Sequence, residues 1–390
     1  MAQERIITGI DVGTYQVKVV VVRMVKNKNN HAVPQIIGTG ISESRGLRNG
    51  YIINETDVIR SVRSAVSQAE KTAGLTIKRA FLATGSIGLD EVVSTGEVIT
   101  SRADSEITDI DVDKVTEDSE DRIIDHIPNR RILNTIPLRY RIDGEDVMGR
   151  PQGMIGTKLE VDTLFITTYE QHLDSLISTI EKTGIAVEDV TSSPAAASLV
   201  VLSKLQKRAG CVLANIGSET TSIIVYEDMI PVSVKVFPIG ANDITNDIAL
   251  GLKISLEEAE KVKRNGVVGT PYSRKKLEEI INARLTDIFE LIQDHLKKIK
   301  RDGLLPAGIV LIGGGSNTSG AVELAKNILV LPAKVSNLDI GKNSRVRDSI
   351  WAVAFGLCML GFSSQEETSF IGTIKPSKSK IIAWFSQFIP

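Results

Sequence analysis

The sequence predicts an α/β protein of more than one domain, and three observations carry that expectation. Three glycine turns, at residues 9–14 (GIDVGT), 215–221 (NIGSETT) and 312–316 (IGGGS), each end an apolar run of strand length. Between them, strand-like runs alternate with stretches whose apolar residues recur at helical spacing. The chain has 390 residues, 42% hydrophobic and 24% charged, which suffices for sizeable cores and exceeds one compact domain.

The elements follow in order. Runs 6–10, 17–22 and 35–41 read as strands, and the first turn re-enters a strand at once, so it is a β-hairpin. A helix is expected from about Glu55, capped by Asn54 or Thr56, to Gly74, with Val58, Val62, Ala65, Val66 and Ala69 on one face. A strand at 79–84 completes strands followed by a helix and another strand, a pattern that resembles that of an RNase H-like unit. From Ser86 the pattern changes. Residues 91–99 alternate as a strand, 104–121 are acidic with a helix starting near Thr108, and 132–142 and 159–168 are further strands. Helices at 170–184 and 194–207 return to the first pattern. A second hairpin, 211–214 and 222–226, opens the next domain; a long helix at 273–301 carries the stripe Leu277, Ile280, Ile281, Leu285, Ile288, Phe289, Ile292, Leu296 and Ile299, and a strand at 309–312 ends in the third turn.

Composition narrows the classes. A formal net charge of −2 gives no global field for nucleic acid, and the basic stretch Lys297, Lys298, Lys300, Arg301 reads as the wet end of a helix. Cys211 and Cys358 fit small hydrophobes in a reducing compartment, and His31, His126, His172 and His295 have no metal-ligand spacing. The start lacks a signal-peptide layout and the longest apolar run, 350–362, is too short to span a bilayer, so a cytosolic protein is expected. The glycine turns are neither a P-loop, which needs Lys-Ser/Thr opening a helix, nor a dinucleotide fingerprint.

Taken together and in this order, the turns resemble the phosphate-1, phosphate-2 and adenosine motifs of the superfamily that joins actin, the heat-shock chaperone ATPases and hexokinase. The resemblance implies an actin-like fold: two RNase H-like domains around a nucleotide cleft, gripping ATP between one hairpin from each. The insert at 86–165 contains GRPQGMIG (149–156) followed by KLEVD (158–162), which is similar to a stretch of subdomain 1C in the bacterial FtsA family of cell-division proteins. Lys18, SPAAA (193–197), ITNDIA (244–249), AEKVK (259–263) and RLTDIF (284–289) extend that resemblance along the chain. It implies subdomain 1A at 1–85 and 166–209, 1C at 86–165, 2A at 210–238 and 303–345, 2B at 239–302, and a helix at 346–362 returning to 1A.

The same resemblance implies the site. Asp11 contacts Mg2+ through water and Lys18 the phosphates; Gly13, Thr14, Gly217, Ser218, Thr220 and Thr221 surround the β and γ oxygens; Glu260 and Lys263 meet the ribose or adenine; Gly313, Gly314, Gly315 and Ser316 hold the adenosine. Phosphate-2 departs from the superfamily. Asn215 stands where Asp is usual, Ser218 and Glu219 replace a glycine pair, and Ser222 replaces an Asp. Binding of ATP with weak turnover at most is therefore expected. Glu219 places a carboxylate near a triphosphate unless it points outward.

The final residues carry a separate signal. A polar linker at 363–380, with Lys375, Lys378 and Lys380, precedes IIAWFSQFIP (381–390). On a helix, Ile381, Ile382, Trp384, Phe385, Phe388 and Ile389 share an arc of roughly 160°, suited to a bilayer interface with anionic headgroups; the alternative is docking on the protein's own core. FtsA-like proteins resemble this arrangement. The resemblance implies a peripheral protein on the cytoplasmic face of the inner membrane at the division site. It self-associates into filaments and binds the FtsZ C-terminal peptide through 2B, where Lys261, Lys263, Arg264, Arg284, Lys297 and Lys298 surround the apolar stripe; later divisome proteins are candidates for 1C. A PilM-like type IV pilus assembly protein is the alternative with the same fold, and a sugar or acyl kinase the alternative from the enzyme class.

Overall fold

In the computed structural model, which describes residues 5–26, 32–266, 272–336, 338 and 349–370, the chain builds one five-stranded unit twice. In the first, β1 (Ile6–Val12), β2 (Gln16–Lys26) and β3 (Ala32–Glu43) form an antiparallel meander. A ribbon of β4 (Leu47–Arg48) and β5 (Tyr51–Ile52) leads into α1 (Glu55–Ala73) and β6 (Arg79–Thr84), which lies parallel to β1. The chain then leaves for an insert made of β7 (Asp90–Ile99), α2 (Asp109–Ile124), β8 (Arg130–Ile142), β9 (Glu145–Val147) and β10 (Lys158–Tyr169). These strands form their own antiparallel sheet in the order β7-β10-β8-β9. Through α3 (Glu170–Glu181) the chain comes back to β11 (Ala186–Ser192), giving the first sheet the order β11-β6-β1-β2-β3.

Helices α4 (Ser193–Val201) and α5 (Lys204–Ala209) connect to the second unit: β12 (Cys211–Ile216), β13 (Thr221–Glu227), β14 (Ile230–Phe237), α6 (Ala241–Leu252), α7 (Leu256–Asn265), α8 (Arg274–Lys298), β15 (Ile309–Ile312), α9 (Ala321–Leu329) and β16 (Ala333–Val335). Its sheet order, β14-β13-β12-β15-β16, repeats the first with the same strand directions. Finally α10 (Ala352–Phe370) returns to the first unit.

Local chemistry explains the boundaries. Asn54 caps α1 by accepting the Asp57 amide, so Asn54 and not Thr56 is the cap. Thr108 and Asp111 form a reciprocal capping box on α2. The stripe of α8 is buried at Leu277, Ile281, Leu285, Ile288, Phe289, Ile292 and Leu296, among side chains of β12, β13 and β15. One core runs through the first unit and on to the inner face of the second, where Ile224, Tyr226, Val234, Val310 and Ile312 join it; the Tyr226 hydroxyl and Ser198 Oγ are 2.8 Å apart at this junction. The insert keeps a small core of its own around Val115, Tyr140, Leu159 and Val161.

Three expectations change. The helix expected at 194–207 breaks at Leu202, whose backbone is extended, because Ser203 restarts the chain as α5 with its own capping box to Gln206. Strands β11 and β14 were not anticipated. The stretch expected as a linker from 363 is helical through Phe370; SSQEETSF contains no Gly or Pro to stop a helix. Residues 371–390, with the amphipathic segment Ile381 to Ile389, lie outside the described residues. Among the described residues no helix is long and apolar enough to cross a membrane.

Candidate functional site

The two hairpins meet face to face because each is the β1–β2 or β12–β13 turn of equivalent sheets. Strand register sets their floors: Asp11 pairs with Lys18 across the first hairpin, and Asn215 with Ser222 across the second. Between them opens a cleft of about 460 Å³. Asp11, Gly13, Thr14, Lys18, Asn215, Gly217, Ser218, Thr220, Glu260, Lys263, Gly313, Gly314 and Gly315 line it, so residues from four separate stretches of sequence come together.

Thr221 and Ser316 do not line the cleft. Thr221 is buried and its hydroxyl donates to the Ile239 carbonyl at 2.9 Å, while Ser316 donates to the Gly313 carbonyl at 2.7 Å; both hold their own turns in shape. Glu219 is not in the lining either. Its carboxylate accepts the Asn49 amide at 2.6 Å, so it points away from the phosphate space. Its removal therefore should not tighten ATP binding by relieving a like charge.

On the first side, Lys18 Nζ lies 3.7 Å from the Asp11 carboxylate, both nearly buried. Burial raises the pKa of Asp11, and the Lys18 ammonium opposes that rise. On the second side, the amide and hydroxyl of Asn215 and Ser222 replace this ion pair. The amide oxygen of Asn215 is pressed against Gly313, where a Cβ would collide with it and with the Ile216 carbonyl; with φ at +84°, Gly313 is glycine for both reasons. Gly217 and Ser218 spend their carbonyls on the Ala241 and Asn242 amides at 2.9 and 2.8 Å, which locks the second hairpin to the start of α6.

Glu260 and Lys263 reach the cleft already engaged. Lys263 Nζ contacts Glu260 Oε2 at 2.6 Å, the Thr245 hydroxyl at 2.6 Å and the Ala241 carbonyl at 3.0 Å. Burial opposes ionisation of Glu260, but hydrogen bonds from Lys263, Thr245 and Arg264 outweigh it and hold the carboxyl below its usual range. Arg264 lines the cleft as well. Lys263 and Arg264 thus face the cleft, Arg264 also borders a second groove with Lys261, and Arg284 is engaged by Asp247 at 2.7 Å. Sequence reasoning missed Tyr15, Gly50, Thr84, Gly85, Asn242 and Thr318, which also line the cleft. Ser193, the first residue of the SPAAA stretch and of α4, also lines it.

The arrangement fits a polyphosphate. Glycine turns bring backbone amides close from two sides, Lys18 and Lys263 supply cations, and Asp11 adds a carboxylate to the same space. Among the described residues no three His, Cys, Asp or Glu side chains gather as a direct metal cage.

Duplicated sheets and facing glycine hairpins define an actin-like nucleotide-binding fold. Solved structures agree: the PilM-PilN type IV pilus biogenesis complex superposes with a TM-score of 0.68 at 16% identity, over 91% of this chain and 98% of that one. MreB 5 of Spiroplasma citri bound to AMPPNP gives 0.53 at 14% identity, over 94% and 98%. Sequence comparison goes further. A family model described as Cell division protein FtsA matches residues 212–356, and one described as SHS2 domain inserted in FTSA matches 90–167. Cell division protein FtsA of Bacillus subtilis is 31% identical over 379 residues, covering 92% of this chain and 83% of the relative. That of Pseudomonas aeruginosa is 28% identical, covering 93% and 91%. The chain belongs to the FtsA family of cell division proteins.

Proposed function

We propose that this protein binds ATP with Mg2+, self-associates, and tethers FtsZ filaments to the cytoplasmic membrane during division. The observation that carries this reading is the insert: residues 90–167 match the domain inserted in FtsA and stand between β6 and α3, as part of a resemblance that covers 92% of the chain. In this reading residues 86–165 are subdomain 1C, the surface for later division proteins, and α6 to α8 belong to 2B, which receives the FtsZ peptide. Asp11, Lys18 and Lys263 with the three glycine turns hold the nucleotide, whose bound metal neutralises phosphate charge. Asn215 and Ser222 weaken any hydrolysis. Residues 381–390 supply the membrane contact, which makes the protein peripheral on the inner face of the membrane.

The deciding experiment is a titration of the cognate FtsZ tail peptide by fluorescence anisotropy. Saturable binding on the order of micromolar, about 8 kcal/mol, is expected, weakening with salt and with charge reversal at Lys261 or Lys298. Failure of that peptide, with saturation by a pilus-protein N-terminal peptide instead, replaces this reading with the PilM-like one.

A further inference from the structure

Two contacts span the cleft from one domain to the other without belonging to the phosphate cradle. At one edge Glu219, from the tip of the β12–β13 hairpin, accepts the backbone N–H of Asn49 at 2.6 Å. Asn49 sits in the turn between β4 and β5 with a left-handed backbone, next to Gly50 of the cleft wall, and its carbonyl accepts the Ile87 amide at 3.2 Å, at the root of the insert. At the other edge Arg264 of α7 donates from Nη2 to the Tyr15 hydroxyl at 2.7 Å, with its guanidinium 5.4 Å from the centre of the Tyr15 ring. Tyr15 is the tip of the β1–β2 hairpin. Glu260 fixes Arg264 in this pose by accepting from Nε at 2.6 Å.

Both contacts are charge-assisted and both exist only while the domains are closed. Each joins protein to protein, so each stabilises the closed arrangement in the empty cleft as well; Tyr15 and Arg264 also line the cleft, whereas Glu219 does not. Loosening such a contact speeds arrival and departure of a ligand alike, and leaves its affinity less changed than either rate.

We propose that Glu219–Asn49 and Tyr15–Arg264 are two latches that hold the domains closed and set the rate of nucleotide exchange. This rests on the ATP-binding reading. It also gives the acidic residue in the second hairpin a purpose: at that place a glycine would leave the Asn49 amide without its partner.

The test uses the full chain, a fluorescent ATP analogue in stopped flow, and amide hydrogen exchange at Asn49. Glu219→Ala should release the analogue about tenfold faster, the effect of one lost charge-assisted bond, and bind it faster by a similar factor. Glu219→Gln, which keeps an acceptor oxygen but not the charge, should release it at a rate between the unaltered chain and Glu219→Ala. Tyr15→Phe should accelerate release on its own and multiply with Glu219→Ala. Asn49 should lose exchange protection in Glu219→Ala and keep it in Glu219→Gln. Unchanged release in the double variant overturns the latch. If the unaltered chain does not bind the analogue, the nucleotide reading fails. Asn49 exchange then decides the closure contact alone: protection lost only in Glu219→Ala supports it, and equal exchange in both chains overturns it.

Discussion

The hydroxyl of Ser233 on β14 donates to the carboxylate of Glu91 on β7 at 2.8 Å, fastening the insert to the domain it does not grow from. The same carboxylate accepts the Val234 amide, Lys235 pairs with Asp90 at 3.0 Å, and Ser233 lies 2.7 Å from His295 Nε2 on α8. Burial and the charges of Lys235 and Lys298 push the His295 imidazole down to about 4, so it is neutral near pH 7 and donates to Ser233 from Nε2. The insert is thus rooted in the first unit and tied to the second, and movement between the units reaches it through these few bonds.

Glu91 should leave a mark on the pH dependence of stability. Burial raises its pKa above the ordinary 4.5, against the Val234 amide and the Ser233 hydroxyl. Between 4.5 and that raised value the folded chain holds the proton that the unfolded chain has released, so the contribution of Glu91 falls as pH rises through the window and is constant above it. Glu91→Gln should abolish this slope and melt at or above the unaltered chain at pH 7. Glu91→Ala should lose about 1–3 kcal/mol at any pH, because the Val234 amide is left without its acceptor. Thermal unfolding followed by circular dichroism from pH 4 to 7 measures both, and an unchanged slope in the Gln variant refutes the assignment.

Asn215→Asp should raise magnesium-dependent phosphate release. The substitution restores a carboxylate across the cleft from Asp11, at a register position whose partner is Ser222 and not a lysine, so the new charge is available to a hydrated cation. One group aimed at developing charge is worth about 10²–10³ in rate; a gain of at least about tenfold is a conservative expectation on that scale. A phosphate-release assay with and without magnesium gives the answer, and equal rates in both chains remove Asn215 from the proposal as a brake on hydrolysis.

The membrane contact should be weak singly and strong in numbers. At about 1 kcal/mol for each of six partly buried side chains, from a full value of roughly 1.5–3, one tail is worth about 6 kcal/mol. Many tails on one filament multiply that by effective concentration, so attachment should follow self-association. Replacing Trp384 and Phe385 with Glu should release the protein from anionic liposomes, and co-sedimentation measures it. Unchanged pelleting removes the tail from the proposal.

What was legible in the sequence was what local chemistry dictates. Apolar runs closed by glycine turns announced β1, β2, β12, β13 and β15, and the spacing of Leu277 to Leu296 announced α8, because a buried face leaves its period in the chain. Strand β11 was hidden by Glu188 and Asp189 and buries only its last residues, Val190 to Ser192. Strand β14 carries Pro231 as its second residue, tolerated because that residue pairs where the ladder with β13 shifts register. In the cleft, the glycines of the three turns and Lys18 could be placed by motif, while Gly50 and Gly85 could not. The bond from Arg264 to Tyr15 joins residues 249 apart, and the outward turn of Glu219 is decided by a backbone amide in the other domain. No pattern within either stretch encodes such partners.

Helix α10 lies against strands made at the opposite end of the chain. The Ala354 carbonyl and Leu357 press on Gly9 so closely that no Cβ fits there, and the Cys358 thiol donates to the Val20 carbonyl at 3.3 Å, across 338 residues of sequence. On the ribosome, β1 and β2 therefore emerge long before α10 and wait with one face bare until Ala352 to Leu360 have been added. All described strands of the second unit lie between Cys211 and Val335, so that unit can close while the first is still incomplete. The order of birth is the reverse of the order of completion, and a nascent chain stalled before Ala352 presents its oldest strands to whatever chaperone or protease reaches them.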